Sequence, residues 1–210
     1  MTREFFKIRV KNLTLREEPT VLSKILETLP RGEVIEKLDM NEKGDWVRTK
    51  WNGREGWLYK RCMKQDDIPW LAVARGELGV QEIPGAADNP RVVEYLHATN
   101  NLDEATRSND ETAWCSAFVN WCMQQVGIEG TKHALARIWQ GWGRHIDEPY
   151  VGCIAVFKRG NGYGHVGFYL GETATKILLL GGNQQNPGTG IFEVSEKEYP
   201  KADFLEYRSP

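Results

Sequence analysis

Two hydrophobic patterns follow one another along the chain. Between residues 6 and 63, apolar and polar residues alternate in short segments that turn signals such as Asn52-Gly53 separate. Alternation of this kind is typical of half-buried strands. Asn-Gly favours a type I′ hairpin, because both of its turn positions need a positive φ. This part of the chain is predicted to form a small all-β barrel.

The second pattern begins near Trp70. Apolar residues at helical spacing predict helices over residues 70–78 and 113–125, and Asn89-Pro90 predicts the start of a helix over residues 91–98. After Ile138 the pattern changes to short apolar runs, which predict strands at residues 153–157, 165–170, 176–180 and around 204–207. Helices followed by such strands predict an α+β domain, with the helices packed on an antiparallel sheet.

A polar segment separates the two patterns. It runs Lys64-Gln65-Asp66-Asp67-Ile68-Pro69, follows the last strand of the first pattern and ends in a proline. Such a segment is typical of a linker. The sequence therefore predicts two domains, residues 1–65 and residues 66–210.

Composition and charge narrow the class of protein. An apolar fraction of 40% and a charged fraction of 27% are typical of a folded globular chain, and the net charge of -2 argues against a basic nucleic-acid-binding face. The first ten residues lack the apolar core of a secretory signal, and no segment reaches transmembrane length. We expect no nucleic-acid partner, no membrane insertion and synthesis in the cytoplasm without a signal peptide.

The cysteines and histidines indicate no metal site. Cys62, Cys115, Cys122 and Cys153 form no CxxC pair, and no carboxylate or cysteine pattern completes a site with His133 and His145. We expect neither a metal nor another cofactor, and no disulfide framework.

One cysteine lies where a nucleophile is expected. Cys115 is in the first turn of a predicted helix, where the dipole favours a thiolate. His165 opens a predicted strand after a glycine-rich turn, and Asn183 ends the next strand. Because neighbouring antiparallel strands bring such ends together, Asn183 can approach His165. A thiolate, an imidazole and a polar group that orients the imidazole are what a thiol hydrolase needs.

The motifs around these residues resemble a known group of enzymes. WCSAFVNWC, VGCIAVFKRG, GHVGFYLG and ILLLGGNQQN, in this order, resemble the NlpC/CHAP group of papain-like peptidoglycan hydrolases. The resemblance implies a papain-like fold, with Cys115 as nucleophile, His165 as general base and Asn183 as the third, polar residue. It also implies cleavage of amide bonds in the wall peptide, by an endopeptidase or an N-acetylmuramoyl-L-alanine amidase.

The first domain has a resemblance of its own. LTLREEPTVLSKILETLPRGEVIEKL and GDWVRTKWNGREGWLYKRC resemble the bacterial SH3-like cell-wall targeting module. The residues that carry this resemblance are Leu15-Arg16, Pro19, Gly32, Trp46-Val47, Gly53 and Gly56-Trp57. It implies peptidoglycan as the partner, although a purely structural role for the domain stays open.

Several residues are candidates for contact with the substrate. Trp139 and Trp142 lie between nucleophile and base, where they either stack on sugar rings or pack in the core. Trp114 and Gln184, next to the catalytic candidates, complete the predicted substrate-binding set. Gln184 is also a candidate second oxyanion donor. Glu82 and Glu111 are either part of the pocket or surface charge.

Three functional alternatives stay open at this point. The leading one is a wall hydrolase that reaches its substrate after lysis or by specialised secretion, with an immunity protein as a partner if the enzyme is a toxin. The second is a catalytically silent adaptor that keeps the papain-like shape and binds the wall or a protein. The third is an acyltransferase or protease that acts on another amide, because a triad does not define its substrate.

Overall fold

A computed structural model describes residues 4–31, 33–65, 68–160 and 162–210 of the chain. The chain divides into two compact units, Met1–Pro69 and Trp70–Pro210. Gly32 of the predicted barrel and Asp66-Asp67 of the predicted linker lie outside the described residues. The domain boundary between residues 65 and 66 therefore stays a prediction.

The first unit consists of short antiparallel strands, as predicted. They form a three-stranded sheet of order β4-β1-β8 and a five-stranded sheet of order β3-β2-β7-β6-β5. The strands are β1 (Phe5–Ile8), β2 (Asn12–Arg16), β3 (Ile25–Pro30), β4 (Val34–Glu36), β5 (Asp39–Met40), β6 (Trp46–Trp51), β7 (Arg54–Tyr59) and β8 (Met63–Gln65). Lys64 and Gln65 thus belong to a strand that pairs with β1 and not to a linker.

The alternation read from the sequence determines the core of this unit. Leu13 and Leu15 of β2 point inward, and Val47 of β6 lies opposite Leu58 of β7. The core consists of Phe6, Ile8, Leu13, Leu15, Leu29, Ile35, Val47, Leu58 and Met63. In the β6–β7 hairpin, Asn52 has a φ of 46° and Gly53 a φ of 78°, which confirms the positive φ values that Asn-Gly predicts.

The second unit combines helices with one antiparallel sheet, which confirms the predicted fold class. Its helices are α1 (Pro69–Gly76), α2 (Pro90–Leu96), α3 (Glu104–Arg107) and α4 (Cys115–Gln125). The strands β9 (Arg144–Ile146), β10 (Ile154–Lys158), β11 (Gly164–Glu172), β12 (Lys176–Gln185), β13 (Phe192–Pro200) and β14 (Phe204–Ser209) form a sheet of order β13-β12-β11-β10-β14-β9.

One local signal predicted a helix start correctly. The side chain of Asn89 accepts a hydrogen bond from the backbone N–H of Arg91 at 2.9 Å, so it caps α2 with Pro90 at the first helical position. Helix α4 begins at Cys115, two residues later than predicted.

Two strands, β9 and β13, were not predicted. In β13 the segment FEVSEKEY buries Val194 alone among its apolar residues, so its pattern resembles a solvated loop.

Helix α4 is the central element of the second unit. All residues from Cys115 to Met123 are buried, because the helix packs against β11 and β12 and against α2. Its polar residues are satisfied internally: the Ser116 hydroxyl donates to the carbonyl of His133 at 2.6 Å, and the Asn120 side chain accepts from the Lys132 N–H at 2.7 Å. These bonds hold the loop after the helix against it.

No helix among the described residues combines the length and the apolar character that crossing a bilayer requires.

Candidate active site

Cys115 lies at the start of α4 with 5% of its surface exposed. Burial raises the pKa of its thiol, although the charge of Arg159 and backbone hydrogen bonds from Val166, Ser116 and Cys115 itself lower it to a smaller extent. Desolvation of the charged sulfur outweighs the helix dipole, so the resting site favours the thiol over the thiolate that the sequence predicts. Because the Val166 bond comes from the residue after His165, the sulfur lies beside strand β11.

His165 is fully buried near the start of β11, opposite Phe157 of β10. Its ring stacks on Tyr199 of β13 with centroids 4.7 Å apart and an interplanar angle of 25°. Burial, and secondarily the charge of Arg159, lower the pKa of His165 to about 3. Since the thiol pKa is raised and the imidazole pKa is lowered, the resting pair is a neutral thiol and a neutral imidazole.

Because of a β-bulge in β12, the neighbouring side-chain amides of Asn183 and Gln184 have different neighbours. The register with β13 shifts between Gly181 and Gln184, and Asn183 adopts a φ of 56° within the bulge. The Asn183 Nδ2 donates to Glu82 Oε1 at 3.2 Å, whereas Gln184 lies close enough to His165 to raise its pKa.

Gln184 is therefore the amide nearer to the imidazole. It is fully buried, and its Nε2 donates to the carbonyl of Gly181 at 3.0 Å. Its Oε1 and both ring nitrogens of His165 have no hydrogen-bond partner among the described residues. The contact between them is looser than a hydrogen bond, as is common before a substrate binds. The catalytic role of Asn183 stays a prediction, with its amide directed at Glu82.

Asn183 lines a cavity of about 580 Å³, whereas Cys115, His165 and Gln184 are not among the lining residues. The cavity wall includes Glu82, Glu111, Ala113, Arg159 and Asn183. Glu82 is 8% exposed, and its Oε1 accepts from Trp114 Nε1 at 2.8 Å as well as from Asn183. Burial, and to a lesser degree the charges of Asp110 and Glu111, raise the pKa of this carboxyl. Both candidate pocket carboxylates thus line the cavity.

Asp110 holds the segment that carries Glu82. Its side chain is fully buried, and Oδ2 accepts from the backbone N–H groups of Ile83 and Asn89, both at 2.8 Å. Asp110 is five residues before Cys115. Its carboxylate therefore links the segment after Glu82 to the segment that leads into α4. Sequence reasoning did not identify this role, because a carboxylate in a polar loop is usually solvated.

The comparisons with known proteins agree with this arrangement. The family model described as CHAP domain matches residues 107–183, a range that contains Cys115, His165 and Asn183. The model described as bacterial SH3 domain matches residues 11–64. The chain carries a bacterial SH3 domain followed by a CHAP domain. Both resemblances stated from the sequence motifs are confirmed.

Solved structures give more distant similarities. NlpC1 from Trichomonas vaginalis is 17% identical, with 98% of this chain and 68% of that chain covered and a TM-score of 0.39. NlpC2 from the same organism is 15% identical, with 99% and 74% covered and a TM-score of 0.36. An NlpC/P60 family protein from Bacillus cereus is 14% identical, with 99% and 63% covered and a TM-score of 0.37. No curated protein matches the chain.

The predicted aromatic binding residues of the CHAP domain take different positions. Trp114 and Trp139 are fully buried, and the Trp139 Nε1 donates to Ser116 Oγ at 2.8 Å. Trp142 is half-buried, packs on Trp139 with ring centroids 4.9 Å apart and donates to the carbonyl of Glu129. Trp114 does not line the cavity itself but donates to Glu82, which does, whereas Trp139 packs in the core. Their roles in substrate binding stay predictions.

Two residues of the CHAP domain site were missed in the sequence. Arg159 directly follows β10 on the cavity wall, and Tyr199 covers the face of His165 from β13. A charged residue at a strand end is usually solvated, so the sequence did not indicate that Arg159 belongs to the site. Tyr199 lies in the strand whose pattern was not recognised.

The described residues contain no group of three His, Cys, Asp or Glu side chains that could hold a metal ion. All four cysteines are free. His133 and His145 lie in separate contacts: His133 Nδ1 accepts from the Leu135 N–H, and His145 pairs with Asp147 and Glu206.

Proposed function

We propose that the chain is a cysteine hydrolase that cleaves amide bonds of peptidoglycan stem peptides, as an endopeptidase or as an N-acetylmuramoyl-L-alanine amidase. The observation that carries the proposal is that the Cys115 sulfur lies against the backbone of Val166, the residue after the buried His165, within the range that the CHAP family matches. The CHAP match supports a peptidoglycan hydrolase. The particular bond and the catalytic roles are our inference.

The neutral resting pair defines how the reaction begins. Since neither charged form is favoured in the free site, the Cys115 proton passes to His165 as the sulfur attacks the carbonyl carbon. The C–S bond forms, and the carbonyl electron pair moves onto oxygen. Backbone N–H groups in the first turn of α4 have no intrahelical partner, so that of Cys115 is available to this oxyanion. The protonated His165 then donates to the leaving amine, and water releases the acyl group from sulfur.

Gln184 supports the proposed base. Its side-chain oxygen has no other partner, and the residue lies close enough to the ring to raise its pKa, so we expect this oxygen to accept a ring N–H once His165 becomes protonated. Asn183, by contrast, donates to Glu82 on the cavity wall and suits contact with the substrate.

The bacterial SH3 domain supplies the proposed partner, peptidoglycan. The match to residues 11–64 is consistent with wall binding, and no finding supports an immunity protein. We propose that the protein acts on the wall after lysis or specialised secretion.

Digestion of purified sacculi tests the nucleophile. The wild-type chain is expected to release new amines from sacculi under reducing conditions, and mass spectrometry of the products identifies the bond. Cys115→Ala is expected to lower the rate at least 10³-fold. Cys122→Ala is the matched control, since Cys122 lies in the same helix and is fully buried. Full activity in Cys115→Ala would show that another group attacks.

The same assay distinguishes the roles of the Gln184 and Asn183 side chains. Gln184→Met is expected to lower kcat at least tenfold, because His165 loses its acceptor. Asn183→Ala is expected to raise KM with little change in kcat, because it alters the cavity wall. The reverse pattern would return the orienting role to Asn183.

A catalytically silent adaptor is the second candidate, and the burial of Cys115 favours it. An adaptor has no need of a reactive thiol. If intact protein leaves sacculi and soluble muropeptides uncut and Cys115 resists a small alkylating agent at pH 8, the adaptor replaces the hydrolase.

A further inference from the structure

Arg159 is a cation without a carboxylate partner at the edge of the site. Its side chain is exposed and lines the cavity that also contains Glu82 and Asn183. No salt bridge joins it to a carboxylate within the described part of the chain. Its backbone N–H donates to the carbonyl of Tyr163 at 2.8 Å, which anchors the residue in the turn that leads into β11.

The charge of Arg159 reaches side chains from three elements. It lowers the pKa of Cys115 in α4, of His165 in β11 and of Tyr199 in β13. Two contacts place the guanidinium near these groups. Arg159 lines the same cavity as Ala113, two residues before Cys115, and the Tyr199 ring beside Arg159 stacks on His165 with centroids 4.7 Å apart. The Tyr199 hydroxyl, buried without a hydrogen-bond partner among the described residues, lies beside the guanidinium.

A negative charge on Cys115 needs a stabilising cation other than the His165 imidazolium. In a thiol hydrolase the imidazolium ordinarily stabilises the thiolate, but burial keeps His165 neutral, and its neighbour Gln184 is an uncharged amide. Lys197 also disfavours the imidazolium, and Glu82 on the cavity wall adds negative charge. Arg159 is the described cation whose charge lowers the thiol pKa.

We propose that Arg159 is a catalytic residue whose guanidinium stabilises the negative charge on Cys115 Sγ and then on the tetrahedral oxyanion. The proposal rests on the proposed hydrolase function. His165 takes the thiol proton, the C–S bond forms, and the electron pair of the carbonyl moves to the oxygen that faces Arg159. When the C–N bond breaks, His165 returns its proton to the amine, and Arg159 keeps its charge throughout.

Alkylation of the thiol tests the charge effect without any substrate. The rate of iodoacetamide addition to Cys115, followed on its peptide by mass spectrometry, is measured against pH for the full chain. Arg159→Met is expected to raise the apparent pKa of Cys115 by about one unit and to slow alkylation at pH 7 about tenfold. Arg159→Lys is expected to retain part of the effect.

Lys158→Met is the matched control. Lys158, the last residue of β10, is also exposed and cationic, but it does not line the cavity and is not among the charges that shift the pKa of Cys115. It is expected to leave the thiol pKa unchanged. An Arg159→Met protein that is folded, by circular dichroism, and has the wild-type thiol pKa overturns the proposal, whether or not the chain cuts peptidoglycan.

Kinetics on soluble muropeptides distinguish catalysis from binding. Arg159→Met is expected to lower kcat ten- to a hundredfold at an unchanged KM, since the charge it stabilises develops after binding. A higher KM at an unchanged kcat would assign Arg159 to a substrate carboxylate and overturn the proposal. If the wild-type chain cuts no muropeptide, the proposed function fails, and the alkylation experiment still decides the effect of Arg159 on the thiol.

Discussion

At the scale of the residue, the backbone conformation at Asn183 determines which of two consecutive amides, Asn183 or Gln184, lies beside His165. They are consecutive amides at the end of β12, and the sequence predicted the first as the partner of His165. In the bulge Asn183 has a φ of 56° and donates to Glu82, while Gln184 lies beside the imidazole. A bulge shifts which residue faces which side, and the side-chain alternation of a regular strand no longer applies.

Protonation of His165 yields a prediction about acid. Because burial lowers its pKa in the folded state to about 3, the unfolded chain, with a value near 6.5, binds the proton first on acidification. The stability that neutral His165 contributes is therefore complete above pH 6.5. Between pH 6.5 and 4 we expect His165 to reduce the free energy of unfolding by about 1.4 kcal/mol per pH unit.

Urea unfolding of the wild type and of His165→Gln at pH 7 and pH 5 measures this contribution. The wild type is expected to lose more stability than the variant over this interval. A side-chain NMR titration of the folded protein gives the pKa directly, and a midpoint near 6.5 for His165 would contradict the prediction.

At the scale of the element, the contact between α4 and β12 positions the nucleophile. A Cβ on Gly182 would lie 2.3 Å from the Trp114 ring and 2.8 Å from Phe118 Cβ. The absence of a side chain at Gly182 lets the start of α4 approach the sheet, with the Trp114 indole held by its bond to Glu82. The sequence predicted this helix and this strand but not their distance, because a glycine in GGNQ also suits a turn.

Gly182→Ala is accordingly expected to destabilise the CHAP domain. The rigid indole cannot move without losing its hydrogen bond, so we expect a cost of about 2 kcal/mol or more, in the range for overpacked cores. Thermal unfolding by differential scanning calorimetry measures it. Gly171→Ala is the control in the neighbouring strand, since an added Cβ there meets nothing within 4 Å. Equal melting temperatures for the two variants would show that α4 has room to shift.

At the scale of the whole molecule, the chain has two units with separate cores. The core of the bacterial SH3 domain is drawn from its own strands, and the CHAP domain is organised around α4. Each unit therefore has the hydrophobic core that independent folding requires. The separate cores agree with our proposal that the bacterial SH3 domain binds the wall and that the CHAP domain carries out the hydrolysis.

A fragment of residues 68–210 tests that proposal. It is expected to cut soluble muropeptides at the rate of the full chain and to bind sacculi at least tenfold more weakly, because one of two linked binding modules is gone. Co-sedimentation with sacculi measures the binding, and circular dichroism checks that the fragment is folded. Equal sedimentation of fragment and full chain would assign wall binding to the CHAP domain alone.

Most of the architecture was predictable because it depends on local patterns. Alternation identified most of the SH3-domain strands, Asn52-Gly53 identified a hairpin, and Asn89 identified a helix start. Strand β13 was not predictable in this way, because its charged and apolar residues follow no strong alternation. It pairs with β12 through the backbone, which carries no side-chain signature.

From the sequence alone we could predict two domains, most of their helices and strands, and a cysteine and a histidine as candidates for the site, since these depend on periodicity and short motifs. The tertiary structure was needed to assign the protonation of that pair, because burial acts through every element packed around it. It also decided that Gln184 lies nearer to His165 than Asn183 and that Arg159 brings a charge to the thiol. These contacts join residues from separate strands, and their distances depend on a bulge and a close helix–sheet packing that no local pattern specifies.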